Sequence, residues 1–363
     1  MRWRRFTSYP KEEADMQSKS IWMVALAATA LALSAATPAR DLTVVSWGGA
    51  YQDAQREVYF QPFMTTTKIK MAEENWDGGV GTLRAKAQGG NNNWDVVQVE
   101  SEELLIGCEE GLYEKIDWAK LGGKDKYLPD AVNDCGVGAI VYSFILAYDG
   151  DKIKGDAPKS WADFWNVQKW PGKRALRKGP KTTLEIALMA DGVAPNDVYK
   201  TLGTSEGVER AFRKLDQLKA NLVWWEKGSQ PPQLLASGEV AMTDAYNGRI
   251  AAANDKDKKN FKIVWTNNLY TIDSWVIMKG SPNKAQAETF LVFVNDPQNQ
   301  KNLPPKIPYG PTTKASTALI DKNVLPNLAT APQNIATALY INDKFWLENL
   351  DKLSQRFNAW VAK

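Results

Sequence analysis

Apolar, often β-branched runs in this chain end on glycine or polar residues, and the stretches between them repeat apolar residues every three or four positions. That pattern predicts strands alternating with helices. The first run, Leu42 to Val45, stops at Ser46-Trp47-Gly48-Gly49, a buried strand delivering Trp47 into a turn at its carboxyl end. A helix over 50–64, a strand over 68–73, a helix over 79–88 and a strand over 94–99 are expected next. This β-α-β-α-β order requires right-handed crossovers and a mainly parallel sheet. Further strands are expected over 136–147, 239–243, 261–265 and 273–278, and helices over 183–190, 205–220, 233–237 and 283–295. The helix over 205–220 has the cleanest pattern, with Val208, Ala211, Phe212, Leu215 and Leu218 on one face. Residues 157–172 read as a loop and short helix opening a second lobe, and the patterns around Trp346 and Trp360 are helical.

The strand ends carry the candidate chemistry. In an open α/β sheet, ligands bind beyond the carboxyl ends of the strands. Trp47, Glu100, Tyr246 and Asp273 fall at or beside strand ends, and Tyr309 sits in the Pro-rich loop 303–311. Trp47 has two readings, core residue or ligand wall. Glu102 and Glu103 suit the first turn of a helix, where acids favour the dipole, which leaves Glu100 as the acid facing a cleft. Asp273 opens an apolar strand, and buried carboxylates are rare unless paired, so it has either a structural partner or a ligand. Aromatic walls with isolated acids suit an alkyl ammonium, held by cation–π attraction and charge-assisted hydrogen bonds. Tyr51, Ser101, Arg249 and Trp275, close to these positions in sequence, complete the candidate list. The basic residues Arg174, Arg177, Lys178 and Lys181 precede a helix and oppose its dipole, so most of them are expected to face solvent.

Composition narrows the function. The chain has 363 residues, long enough for two lobes, each with its own core. Residues 21–33 form an apolar run after Lys19 and before small residues ending at Ala39. It is too short for a comfortable membrane span and reads as a cleavable signal peptide over 1–39, with Met16 an alternative start and Ala36 a second cleavage position. Its removal takes five basic and three acidic residues from a formal charge of +3 and leaves +1. A near-neutral surface argues against nucleic acid. Two cysteines, Cys108 and Cys135, are expected to pair in an oxidising compartment. The chain contains no histidine, which excludes Ser-His-Asp and Cys-His catalysis and makes a zinc site improbable in composition. No metal or cofactor is expected. The competing class is an exported enzyme with Cys108 or Cys135 as nucleophile, for which free thiols would be required.

Taken together, these residues resemble the spermidine/putrescine-binding family of periplasmic solute-binding proteins of ABC importers. The resemblance runs over the opening strand with Trp47, WDVV around Asp95, KSWADFW at Lys159 to Trp165, SGEVAM at Ser237 to Met242, Tyr246-Asn247-Gly248, Asp273-Ser274 and Tyr309-Gly310-Pro311. It implies a non-enzymatic, monomeric receptor in the periplasm that delivers an amine to a permease of the inner membrane. It also implies a two-lobed α/β fold of the type II periplasmic-binding arrangement. Lobe 1 would comprise 40–146 and 273–318, lobe 2 would comprise 147–272, and 319–363 would return to lobe 2, with crossings near 143–148 and 270–275. By the same resemblance Trp47 and Tyr246 are aromatic walls, Asp273 is the ammonium-binding acid, Tyr309 is the loop tyrosine and Glu100 stands where a small polar residue is usual. Two positions depart from the family: Lys181-Thr182-Thr183 replace an acid, and Arg249 stands where some relatives carry Asp. The first expectation is therefore a polyamine. The alternative is an ω-amino acid such as 4-aminobutyrate, with its ammonium on Asp273 and its carboxylate on Arg249.

Overall fold

Buried apolar runs assemble into one continuous sheet in this computed structural model, which describes residues 40–89 and 92–363. The expected signal peptide over 1–39 lies outside the described residues. The strands are β1 Leu42–Ser46, β2 Met71–Asn75, β3 Val96–Val99, β4 Gly136–Asp149, β5 Lys173–Arg177, β6 Leu222–Trp225, β7 Val240–Tyr246, β8 Phe261–Ile277 and β9 Leu339–Tyr340. Their order is β2-β1-β3-β8-β4-β7-β5-β6, with β9 paired to β8. Every residue of β1 and β3 is buried, as expected for parallel strands covered on both faces.

The sheet has two parallel ends and an antiparallel middle. β1 pairs in parallel with β2 and β3 at one end, and β5 pairs in parallel with β6 and β7 at the other. Between them the long strands β4 and β8 run antiparallel from Gly136 opposite Val276 to Asp149 opposite Phe261. The α/β architecture is as expected, but the sheet is mixed where a mainly parallel one is expected, because β8 pairs antiparallel with both β3 and β4 and β4 pairs antiparallel with β7. The two short strands expected at 261–265 and 273–278 are instead one strand. The register shifts between Phe144, opposite Leu269, and Leu146, opposite Val264, so residues 265–268 bulge out of the ladder with Asn267 at φ 54°. The Asn268 amide holds the bulge by donating to the Trp265 and Asn334 carbonyls at 2.8 and 2.7 Å. A polar Thr-Asn-Asn stretch breaks the apolar pattern without ending the strand.

The basic run 174–181, expected to face solvent for the most part, begins inside β5. Its Arg174 is fully buried, and the guanidinium donates to the carbonyls of Phe164, Gly172 and Trp170 at 2.7, 2.7 and 2.6 Å. Carbonyl acceptors make a buried cation tolerable here. Cys108 and Cys135 form a disulfide with a Cα–Cα distance of 5.6 Å, joining the helix Ser101–Glu109 to the start of β4. The two thiols that the enzyme reading needs are therefore consumed. The C-terminal helix Asp343–Val361 packs on Trp224 of β6 through Phe357 and Trp360, while Trp346 Nε1 donates to Glu185 of the helix Thr183–Ala190 and Trp360 Nε1 to Asp216 of the helix Ser205–Asp216, both at 2.7 Å.

Candidate functional site

A cavity of about 200 Å³ opens where β1, β3, β4, β7 and β8 approach one another. That is below the roughly 300–1,000 Å³ of sites for drug-sized ligands, so it suits a small solute. Six aromatic side chains line it among polar and charged ones: Trp47, Tyr51, Trp76, Tyr142, Tyr246 and Tyr309. Trp47 leaves β1 through Gly48 and Gly49, both at positive φ, and a Cβ on Gly49 would stand 2.8 Å from Arg249 Nη1. Only glycine permits both that backbone and that approach. The Trp47 ring stacks on Trp76 at 5.2 Å and 17°. On the opposite wall Tyr142 meets Tyr246 at 5.5 Å and Tyr309 at 6.2 Å. Tyr309 is held from behind, because Gly310 and Val141 exchange two backbone hydrogen bonds of 2.8 Å and Asn247 donates to the Pro308 carbonyl at 2.7 Å.

The charged side chains of the wall sort into pairs. Glu100 accepts from Arg177 at 2.8 and 3.1 Å and from Lys181 at 2.9 Å. Asp77 pairs with Lys227 at 3.0 Å, and Glu226 pairs with Lys178 at 2.8 Å. Two groups are left. Asp273, beside Ile140 in the β4–β8 ladder, accepts one long hydrogen bond from Gln98 at 3.3 Å through Oδ2. Its Oδ1, like Tyr142 Oη and Trp47 Nε1, has no hydrogen-bond partner among the described residues. Arg249 donates to the carbonyls of Gly48 and Trp47, both at 2.9 Å, and not to any carboxylate among the described residues.

Burial, reinforced by the charge of Glu100, raises the Asp273 carboxyl well above the ordinary range. For Glu100 burial acts in the same direction, but the charges of Arg177 and Lys181 outweigh it and hold the group well below that range. Glu103, buried and facing Glu100 and Glu102, is raised to about 8.

Of the residues singled out in the sequence, Trp47, Tyr51, Glu100, Tyr246, Arg249, Asp273 and Tyr309 line this one cavity. Ser101 and Trp275 do not. Ser101 begins the helix after β3 and meets Thr271 Oγ1 at 3.3 Å. Trp275 lies one side-chain repeat beyond Asp273, opposite Gln98 and Val137, and packs on Phe290 at 5.6 Å. Glu102 and Glu103 stand in the first turn of the helix after β3, as expected, and Glu102 also pairs with Lys181. Sequence reasoning missed Arg177 and Lys181, which come from the run read as solvated, and also Tyr142 and Trp76. Tyr142 had a signal: it shares a face with Ile140 on an apolar strand whose neighbour carries Asp273.

The chain is similar to known solute-binding proteins over most of its length. The family profile described as bacterial extracellular solute-binding protein matches residues 59–333. A γ-aminobutyric acid-binding protein of Pseudomonas aeruginosa is 49% identical over 334 residues, covering 92% of this chain and 94% of that protein. A spermidine/putrescine-binding periplasmic protein of Haemophilus influenzae is 21% identical over 289 residues, 77% of each chain. The solved structure of the GABA receptor Atu4243 superposes with a TM-score of 0.78 at 33% identity, covering 89% of this chain and 98% of that one.

Proposed function

This chain belongs to the family of bacterial extracellular solute-binding proteins, and from that premise we propose that its cavity captures an ω-amino acid of the 4-aminobutyrate class for an ABC importer. Its relatives and its fold are those of substrate-binding proteins of such importers rather than enzymes. One observation carries the choice of ligand. Among the charged groups lining the cavity, each is paired with an opposite charge among the described residues except one acid, Asp273, and one guanidinium, Arg249, which meets the Gly48 and Trp47 carbonyls and the Tyr309 hydroxyl. A ligand complementary to that remainder has one ammonium and one carboxylate. A polyamine would offer only cations.

Tyr51 stands between the two groups. Its ring centroid is 5.9 Å from the Arg249 guanidinium, and its hydroxyl bonds Gln98, which in turn reaches Asp273. The ligand's methylenes would lie against this ring and its aromatic neighbours, where apolar contact and cation–π attraction add to the terminal ion pairs. The relatives point the same way, since the protein 49% identical to this chain is a γ-aminobutyric acid-binding protein. In this reading the receptor works in the periplasm, and the two parallel ends of the sheet are lobes hinged on β4 and β8. Ligand binding would then favour the closed arrangement that the permease accepts.

Calorimetry on the purified protein with 4-aminobutyrate, putrescine, butylamine and butyrate tests this. Binding of 4-aminobutyrate with much weaker binding of the two single-ended analogues is expected. Tighter binding of putrescine than of 4-aminobutyrate would overturn the proposal in favour of the polyamine reading.

A further inference from the structure

Glu100 poses a question that the ligand reading leaves open. It lines the cavity beside Tyr142 and Tyr246, where an acid among aromatic rings would welcome an ammonium. Its acceptor positions are already taken. Oε1 receives Arg177 Nη2 at 2.8 Å and the Tyr246 hydroxyl at 3.4 Å. Oε2 receives Arg177 Nη1 at 3.1 Å and Lys181 Nζ at 2.9 Å. A carboxylate offers about four lone-pair sites, and here all are used.

The two cations are not equivalent. Arg177 is a lining residue of the cavity, with its guanidinium 5.6 Å from the Phe144 ring centroid. Lys181 is not among the lining residues and is shared with Glu102. Of the two cations on Glu100, Arg177 is therefore the one that meets it at the cavity wall.

We infer that Arg177 sets how many ammonium groups the cleft admits, because it occupies as a resident cation the place on Glu100 that the second ammonium of a diamine would take. This rests on the ω-amino acid reading and extends it. Asp273 accepts one ammonium, and Arg177 makes the second acid inaccessible to another. A diamine placed on Asp273 would bring its far ammonium toward Arg177 or Arg249, a like-charge approach that disfavours the wrong ligand. Without Arg177, Glu100 and Glu102 would share only Lys181, and the cluster would present net negative charge to the cavity.

The test is the ratio of putrescine to 4-aminobutyrate affinity, measured by calorimetry on full-length protein. Arg177→Met is expected to move that ratio toward putrescine by about tenfold or more, as removal of a repulsive charge should. Arg177→Lys, which keeps a cation on Glu100, should hold the wild-type ratio. The double variant Glu100→Gln with Arg177→Met removes the acid as well and should gain no putrescine binding. Should Arg177→Met fail to fold, Arg177→Gln, which retains a hydrogen bond to Glu100, takes its place with the same expectation. A wild-type ratio in the folded single variant, or an equal gain in the double variant, overturns the inference while leaving the ligand reading intact. Wild-type protein that binds neither compound overturns the ligand reading and this inference with it, and that result precedes any variant.

Discussion

Two carboxylates face the same cavity with the same exposure, 4% each, and have opposite electrostatic states. Glu100 follows β3 and meets two cations delivered from the far side of the sheet by β5 and the turn after it. Asp273 lies within β8, with one long hydrogen bond from Gln98, the Tyr142 hydroxyl nearby, and an Oδ1 that has no close hydrogen-bond partner among the described residues. Burial acts on both in the same direction, so the partners decide. The paired acid is held ionised at low pH, and the unpaired one is pushed toward its neutral form. Proteins leave a buried acid unpaired where a ligand supplies the partner. In the proposed reading the difference separates a structural acid from a binding one more clearly than burial or sequence position could.

The comparison breaks most visibly at Glu100. Replacing it by Ala strips the half-buried Arg177 of its counter-ion and leaves the buried Lys181 with Glu102 alone, which should cost about 3 kcal/mol of stability. A urea titration reads this as a lower midpoint at constant slope. The pH dependence has a definite sign. Glu100 is depressed in the folded protein, so its contribution is fully present above the ordinary carboxylate range and is lost as pH falls through and below it. The Ala variant should lack that part of the acid destabilisation. A loss under about 1 kcal/mol would mean that the cluster tolerates an unpaired Arg177 and that Glu100 is not structural.

Asp273→Asn should show the reverse profile. The raised carboxyl is a liability to the ligand-free fold once pH exceeds its unfolded value, so the Asn variant should be no less stable near neutrality. Affinity for 4-aminobutyrate should fall by roughly 1.5–3 kcal/mol, the value of a hydrogen bond to a charged group. In the wild type the ligand's ammonium binds the ionised form, so binding releases a proton between the bound and free pKa values of Asp273. Affinity then rises with pH by up to about tenfold per unit across that window. Calorimetry in buffers of different ionisation enthalpy counts the proton, and the Asn variant should release none. Unchanged affinity in that variant would show that Asp273 does not hold the ligand.

How much of this was legible in the sequence follows from the range of the interactions. Trp47, Tyr246, Asp273 and Tyr309 could be found because strand ends and loops are marked locally, by an apolar run that stops at glycine or a polar residue. Arg249 emerged from a short motif after β7. Arg177 and Lys181 could not be found this way. Their partner lies 77 and 81 residues away in the chain, and a basic run before a helix is locally indistinguishable from a solvated face. Trp275 failed for a complementary reason. Strand alternation places it on the same side as Asp273, but depth along the strand decides what reaches the cavity, and depth depends on the register with β3 and β4. The β8 bulge was likewise invisible, because a polar interruption of an apolar strand reads as a break.

A third ion pair crosses the same cavity and separates burial from pairing. Lys227 and Asp77 meet at 3.0 Å with side chains 62% and 53% exposed, the same contact distance as the Glu100 pairs in a very different dielectric. Exposed pairs contribute about 0–1 kcal/mol and are screened by salt. Lys227→Ala should therefore change 4-aminobutyrate affinity by no more than about fivefold at low ionic strength. At about 1 M salt, where the Debye length is roughly 3 Å, variant and wild type should coincide. A larger loss that survives high salt would place Lys227 on the ligand itself. Its ammonium would then be a second anchor for the carboxylate beside Arg249, and the remainder of charge in this cavity would be one acid facing two cations rather than one.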